Sequence, residues 1–196
     1  MKKVLIINGH EKFGDFAQGD LNNKIIDLAD SFFKEKGFEI KHSVAAQEFD
    51  VKEEVAKHMW ADLIFVQAPL YWMSVPAAFK NYMDQVYTGG IDGELCDHDG
   101  RTRSDENAFY GMGGLRSNTH YMLSVTMNAP ESAFNSSEPF FEGKSVDDLY
   151  WPVHLNFKFF GMKPLQTFVM HDVYKNPSIE KDLARLPHHL ENVLVS

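Results

Sequence analysis

The chain has 196 residues, of which 44% are hydrophobic, and its formal net charge is −9. This length fits one domain, residues 1–196, that is expected to bury roughly 70% of its unfolded surface, and a second full domain is not expected. The acidic balance argues against a nucleic-acid partner or an anionic membrane, because either would require a basic face.

The cysteine content and the apolar segments limit the classes of protein further. Cys96 is the only cysteine, so an internal disulfide is excluded, and no second Cys is present to form a Cys-based metal site with it. No apolar segment reaches the roughly 20 residues of a membrane span. The apolar stretch after Lys2 and Lys3 is too short for a signal peptide. We therefore expect a cytoplasmic protein with no metal and no membrane insertion.

Strand and helix patterns alternate along the chain, which is typical of a parallel sheet with helices on both faces. The predicted strands are residues 3–8, 39–44, 61–68, 120–126 and 164–171. The predicted helices are residues 20–36, 51–59, 76–87, 146–160 and 178–195, and irregular connections fill 88–118 and 127–145. Five strands in this order predict an α/β, flavodoxin-like fold with sheet order 2-1-3-4-5.

The loop after the third strand, PLYWMSVP at residues 69–76, is the most informative segment. It places Tyr71 and Trp72 at the carboxyl end of a central strand, where open α/β sheets bind ligands. The alternative is that both rings are core aromatics that close the edge of the sheet.

The loop after the first strand carries small residues into the first helix. Free backbone N–H groups and the helix dipole can bind an anion there. The loop is neither a P-loop nor a dinucleotide fingerprint, because Asp15-Phe16 replaces Lys-Ser/Thr and there is no Gly-x-Gly-x-x-Gly. The alternative is an ordinary connection in which Asp20 caps the helix.

A third loop, Thr126 to Pro130, follows the fourth strand and is expected to lie beside residues 69–76. One loop suited to phosphate and one rich in aromatics describe a flavin site better than a mononucleotide site. The sequence contains no Gly-x-Ser-x-Gly elbow and no His-Glu-x-x-His motif, so it gives little support for a hydrolase. His154 is interpreted as a packing histidine rather than a base.

At these loops the sequence resembles the flavodoxin-like NAD(P)H:quinone reductases, most closely the bacterial modulator of drug activity B group. The matching pieces run in order over nearly the whole chain: Ile6–Gly9, Trp60–Asp62, Pro69–Met73, Lys80–Asp84, Asp99–Arg103, Tyr110–Gly114, Asn128–Pro130, Phe140–Phe141 and Phe160–Met162.

The resemblance implies an oxidoreductase that binds FAD non-covalently in a homodimer, with the flavin at the subunit interface. NADH or NADPH would be the electron donor and a quinone-like small molecule the acceptor, in two alternating half-reactions. Two alternatives remain open: an FMN-dependent azo- or nitroreductase on the same scaffold, and a non-catalytic flavin-binding regulatory protein.

The resemblance also implies the residues of the site. The cofactor-binding positions are His10, Lys12, Ala17, Gln18, Gly19, Asp20, Leu21, Asn22, Asn23, Pro69, Leu70, Tyr71, Trp72, Met73, Tyr110, Thr126, Met127, Asn128 and Ala129. Backbone N–H groups of Met127 to Ala129 would stabilise the reduced flavin. Tyr71, Phe134 and Glu142 are candidates for shaping the pocket or supplying a proton.

Two positions depart from the family pattern. The first loop offers Phe16–Gly19 where relatives often carry a Ser or Thr hydroxyl, so backbone groups and Gln18 are expected to contact the phosphates. Glu142 stands where relatives tend to carry a His beside the flavin.

Overall fold

The computed structural model describes residues 1–102, 105, 107–137 and 139–195, so Arg103 of the matching pieces lies outside the described residues. The strands are β1 Lys3–Asn8, β2 Glu39–Val44, β3 Leu63–Pro69, β4 His120–Thr126, β5 Lys163–Pro164 and β6 Phe168–Met170. The helices are α1 Asp20–Glu35, α2 Val51–Trp60, α3 Ala77–Gly89, α4 Val146–Leu149, α5 Trp151–Phe159 and α6 Ile179–Val195, with a short 3₁₀ turn at Glu131–Ala133.

The strands form one parallel sheet in the order β2-β1-β3-β4-β5, and β6 also pairs with β4. This confirms the predicted order 2-1-3-4-5. The fifth strand is interrupted, however, because Lys163 pairs with His120 whereas Phe168 pairs with Ser124. Phe168 is five residues after Lys163, whereas Ser124 is only four residues after His120. One extra residue therefore forms a bulge that splits the predicted strand in two.

Successive side chains of the central strands enter two different cores. Val4 and Ile6 of β1 pack in the core that α1 and α6 cover. Leu5 and Ile7 pack in the core under α2, α3 and α5. The continuous apolar runs of β1 and β3 follow from this burial on both faces.

The predicted helix over residues 146–160 is two helices that meet at Tyr150. Pro152 lies in the first turn of α5 and has no N–H to donate to the preceding turn, which interrupts the hydrogen bonding between the two helices. Ser145 starts α4 by accepting a hydrogen bond from the Asp148 N–H at 3.0 Å.

A buried carboxylate links β2, α2 and α3. Glu54 is 4% exposed and accepts hydrogen bonds from the hydroxyls of Ser43 and Tyr82 and from the Lys57 ammonium. Burial raises its pKa, but the hydrogen bonds from Lys57, Ser43 and Tyr82 outweigh that effect and bring the pKa below its usual value.

His154 is a packing histidine, as the sequence indicates. Its two ring nitrogens face the Tyr121 hydroxyl at 2.8 Å and the Asp147 carboxylate at 3.3 Å. Among the described helices, none combines the length and the apolar character needed to cross a bilayer.

Candidate functional site

The loops after β1, β3 and β4 lie side by side at the carboxyl edge of the sheet, as predicted. The Tyr71 hydroxyl donates to the carbonyl of Glu11 in the first loop at 2.8 Å. The Leu70 N–H donates to the Thr126 carbonyl at the end of β4, also at 2.8 Å. Parallel neighbouring strands bring the three loops together because their carboxyl ends share one edge.

The amino terminus of α1 is open at this edge. Gly19 precedes the helix in the left-handed conformation, with φ 99°, and no side chain caps it. Asp20 lies in the first turn instead, so the alternative of an Asp20 cap is wrong. Within the described ranges, the backbone N–H groups of Asp20 and Leu21 have no hydrogen-bond partner. Free N–H groups and the positive end of the helix dipole fit an anion such as a phosphate.

The side chains of the first loop are partly engaged within it. The Gln18 amide donates to the Gly14 carbonyl at 2.6 Å, and Lys12 is exposed. His10 lies against Gly19, where an added Cβ would come within 3.0 Å of its ring. Burial lowers the pKa of His10, which favours the neutral ring at neutral pH.

The second loop is a tight hairpin with an exposed indole. Tyr71 and Ser74 exchange both backbone hydrogen bonds, at 2.9 and 3.1 Å. Trp72 and Met73 both have positive φ, at 43° and 63°, a conformation that costs about 1–2 kcal/mol per residue. Trp72 is 92% exposed, so the alternative of a core aromatic is wrong for this ring. Strained residues of this kind cluster at ligand sites.

A chain of buried amides beneath the loops joins four elements of the fold. The Ser124 hydroxyl donates to Gln67 at 2.6 Å, the Gln67 amide donates to Asn22 at 3.2 Å, and Asn22 donates to Asn8 at 2.8 Å. These bonds fix the start of α1 on the ends of β1, β3 and β4. Sequence reasoning missed this chain, although Gln67 interrupting an apolar strand was its signal.

The third loop offers fewer free donors than predicted. The Met127 N–H donates to the Met170 carbonyl at 3.0 Å, within the sheet. The Ala129 carbonyl accepts from the Asp172 N–H at 3.3 Å and lies 3.2 Å from the ring of His171. Within the described residues, the N–H groups of Asn128 and Ala129 remain without a partner, so donation to a ligand falls on these two.

Phe134 and Glu142 take different positions. Phe134 is 5% exposed and stacks on Phe141, with the ring centroids 4.2 Å apart. Glu142 is exposed on a turn with φ 51° and borders an open groove of about 640 Å³ with Phe140 and Trp151. Phe134 thus packs within the loop, and the proton-supplying role of Glu142 stays a prediction.

Tyr110 is not brought to the three loops of its own chain. Its ring lies 5.8 Å from that of Phe159, at the carboxyl end of α5, and the Arg101 guanidinium lies 5.4 Å from it. The nearby Arg116 N–H donates to the Phe160 carbonyl at 2.8 Å. Because α5 leads into β5, this region lies at the amino edge of the sheet, opposite the loops.

The described part of the chain contains no group of three or more His, Cys, Asp or Glu side chains that could hold a metal ion. Cys96 is buried, and burial raises the pKa of its thiol. The chemistry available at the carboxyl edge therefore comes from backbone donors, the open helix end and aromatic rings, a set that suits a flat ligand carrying phosphate.

Comparison with known proteins agrees with this description. A family model described as a flavodoxin-like fold matches residues 2–194. The NADPH:quinone oxidoreductase MdaB of Haemophilus influenzae is 38% identical over 190 residues, covering 97% of this chain and 98% of that protein. The chain therefore belongs to the flavodoxin-like family, and its resemblance to the modulator of drug activity B group is confirmed.

Solved structures share the fold at lower identity. A structure titled as a putative quinone reductase from Klebsiella pneumoniae superposes with a TM-score of 0.78 at 20% identity, over 98% of this chain and 85% of that one. The general stress protein 14 of Treponema denticola, solved in complex with FMN, gives a TM-score of 0.65 at 16% identity, over 100% and 99% of the two chains.

Proposed function

We propose that this chain is an FAD-dependent NAD(P)H:quinone oxidoreductase that works by two alternating half-reactions. The observation that carries the proposal is the exposed ring of Trp72, held on a strained hairpin beside the open amino terminus of α1. The activity named for the Haemophilus influenzae relative supports the reaction class and favours NADPH as the donor. Location in the cytoplasm belongs to the same proposal.

The residues of this edge fit a flavin in three ways. Backbone N–H groups of Asp20 and Leu21 bind the phosphates, assisted by the dipole of α1. The Trp72 ring provides a flat apolar surface for the isoalloxazine. The N–H groups of Asn128 and Ala129 donate to the edge of the ring where negative charge develops on reduction, and they need no reorganisation because the loop is tied to β6. When bound, the flavin supplies the hydride chemistry.

The identity of the flavin is tested by denaturing the purified protein and separating the released cofactor by chromatography. We expect FAD, because the open helix end can hold a diphosphate. The FMN complex of the Treponema denticola neighbour favours the alternative of an FMN-dependent azo- or nitroreductase. FMN as the dominant species would contradict the FAD assignment.

The reaction is tested with the purified holoprotein, NADPH or NADH, and menadione as the acceptor. We expect bleaching of the flavin absorption by NADPH alone and recovery of the colour when menadione is added. An NAD(P)H oxidation rate that menadione does not raise would instead support the non-catalytic flavin-binding protein.

The placement of Tyr110 supports the homodimer as part of this proposal. Tyr110 and the exposed side chains of Phe109 and Met112 lie at the amino edge, away from the loops of their own chain. A second copy can bring Tyr110 to the flavin, so each site would be built from two chains.

A mixing experiment tests this arrangement. We expect Trp72→Ala and Tyr110→Ala each to impair quinone reduction, and an equimolar mixture, refolded together, to recover about a quarter of the wild-type rate. Random pairing makes half the dimers mixed, and each mixed dimer holds one intact site. A mixture no more active than the average of the two variants would show that both residues act within one chain.

A further inference from the structure

The helix that follows the aromatic hairpin has no cap of its own. Pro76 precedes α3 and, lacking a side-chain acceptor, makes no cap hydrogen bond. The Ala78 N–H in the first turn instead donates to the Glu11 carboxylate at 2.9 Å. A carboxylate at this position compensates the unpaired N–H groups and is favoured by the helix dipole. Glu11 therefore caps α3 from the loop that follows β1.

The main chain of the same residue holds the hairpin. The Tyr71 hydroxyl donates to the Glu11 carbonyl at 2.8 Å. Glu11 thus contacts residues on both sides of the Trp72–Met73 turn, with its side chain on α3 and its carbonyl on Tyr71. Glu11 therefore connects the two ends of the segment from Tyr71 to Ala78 through two hydrogen bonds.

This closure bears on the strained turn. Trp72 and Met73 stay in the left-handed region only if the surrounding contacts oppose relaxation. Within the turn, Tyr71 and Ser74 supply two backbone hydrogen bonds, and Glu11 adds the two contacts that fix both flanks. We expect loss of the carboxylate to loosen the Glu11 peptide, so that the Tyr71 hydroxyl, which also lies 3.4 Å from His10 Nε2, bonds to a carbonyl that is less firmly held.

We propose that Glu11 is a positioning residue that holds the Tyr71–Ser74 hairpin in its binding conformation and thereby sets the affinity of the site for the flavin ring. This inference rests on the proposed function, since it concerns the same site. The contribution comes through geometry: Glu11 fixes the start of α3 and the Tyr71 hydroxyl, and these fix the indole of Trp72.

The test measures FAD affinity of the flavin-depleted protein by quenching of flavin fluorescence, with FMN titrated in parallel. We expect Glu11→Ala to weaken FAD binding about tenfold, because a hydrogen bond to a charged group is lost. Glu11→Gln keeps an acceptor for the Ala78 N–H, and its affinity should stay within about threefold of the wild type.

A double variant separates positioning from general stabilisation. Tyr71→Phe should weaken FAD binding about threefold in the wild-type background. In the Glu11→Ala background it should change the affinity by less than about twofold, because the hydroxyl has already lost its fixed partner. Additive effects of the two substitutions would overturn the inference.

Asp50→Ala is the matched control. Asp50 caps α2 by accepting the Glu53 N–H at 2.9 Å, so this variant also loses a carboxylate cap but lies outside the three loops. We expect its melting temperature to fall about as much as that of Glu11→Ala, with unchanged FAD affinity. An equal loss of affinity in both variants would reduce Glu11 to a structural role and overturn the inference.

The failure of this inference is distinguishable from the failure of the proposed function. A wild-type protein that binds neither FAD nor FMN would contradict the flavin site itself, and the positioning role with it. A wild-type protein that binds FAD, together with a folded Glu11→Ala variant that binds it equally well, would contradict the positioning role alone.

Discussion

Trp72→Ala is expected to weaken FAD binding by about 2 kcal/mol, or about thirtyfold, while the free energy of unfolding of the apoprotein stays nearly unchanged. The two halves of this expectation have one cause. The indole is 92% exposed, so it contributes little to the core and is free to cover a flat ring. Affinity is measured by fluorescence titration of the flavin-depleted protein, and stability by urea unfolding.

Trp60→Ala provides the matched control for the loss of an indole. Trp60 ends α2 at the amino edge, where the Lys41 ammonium lies 4.6 Å from the ring centroid, away from the three loops. This variant should lose some stability and keep its FAD affinity. Equal FAD affinity in Trp72→Ala and in the wild type would refute the role of Trp72 as the ring-binding surface.

Glu54→Leu is expected to lower the free energy of unfolding by about 3 kcal/mol. The buried hydroxyls of Ser43 and Tyr82 lose their acceptor, and Lys57 loses its ion pair. Lys57 is 25% exposed and can turn toward water, which keeps the cost below that of a fully buried orphan charge. Urea unfolding measures this loss. As a control, Glu53→Gln at an exposed position of the same helix should change the free energy of unfolding by less than about 0.5 kcal/mol.

The same carboxylate makes stability depend on pH in one direction. The pKa of Glu54 is lower in the folded state than in the unfolded chain, so its contribution is present above the unfolded pKa and is lost as pH falls through the folded pKa. We therefore expect wild-type stability to fall more steeply than that of Glu54→Gln below about pH 4.5. Parallel curves for the two proteins would contradict the assignment.

The sheet was predictable because its central strands β1, β3 and β4 are buried on both faces and read as apolar runs. The bounds of β1, β2 and β4 match the predicted residues, since each run is flanked by clear turn signals. The break at Tyr150 could have been inferred from Pro152, because a proline disfavours helical continuity at that point. The bulge in the fifth strand depends on contacts with β4 and has no local signature.

The site was predictable in position and less so in detail. Topology alone placed the loops of Gly19, Trp72 and Asn128 at one edge. Topology could not show that the Met127 N–H is taken by Met170, or that Tyr110 packs on Phe159 at the other edge. Those outcomes depend on the path of long irregular segments, which sequence periodicity does not encode.

The extra residue in the fifth strand determines how that segment tolerates a change of length. Leu165 before the bulge and Phe168 and Met170 after it all enter the core under α1 and α6, although their spacing breaks strict alternation. Deleting one residue between Leu165 and Phe168 would restore regular pairing and place the two side chains two positions apart, so all three would stay on the core face. A one-residue deletion in the three-residue gap between β5 and β6 is therefore expected to leave the core under α1 and α6 in place.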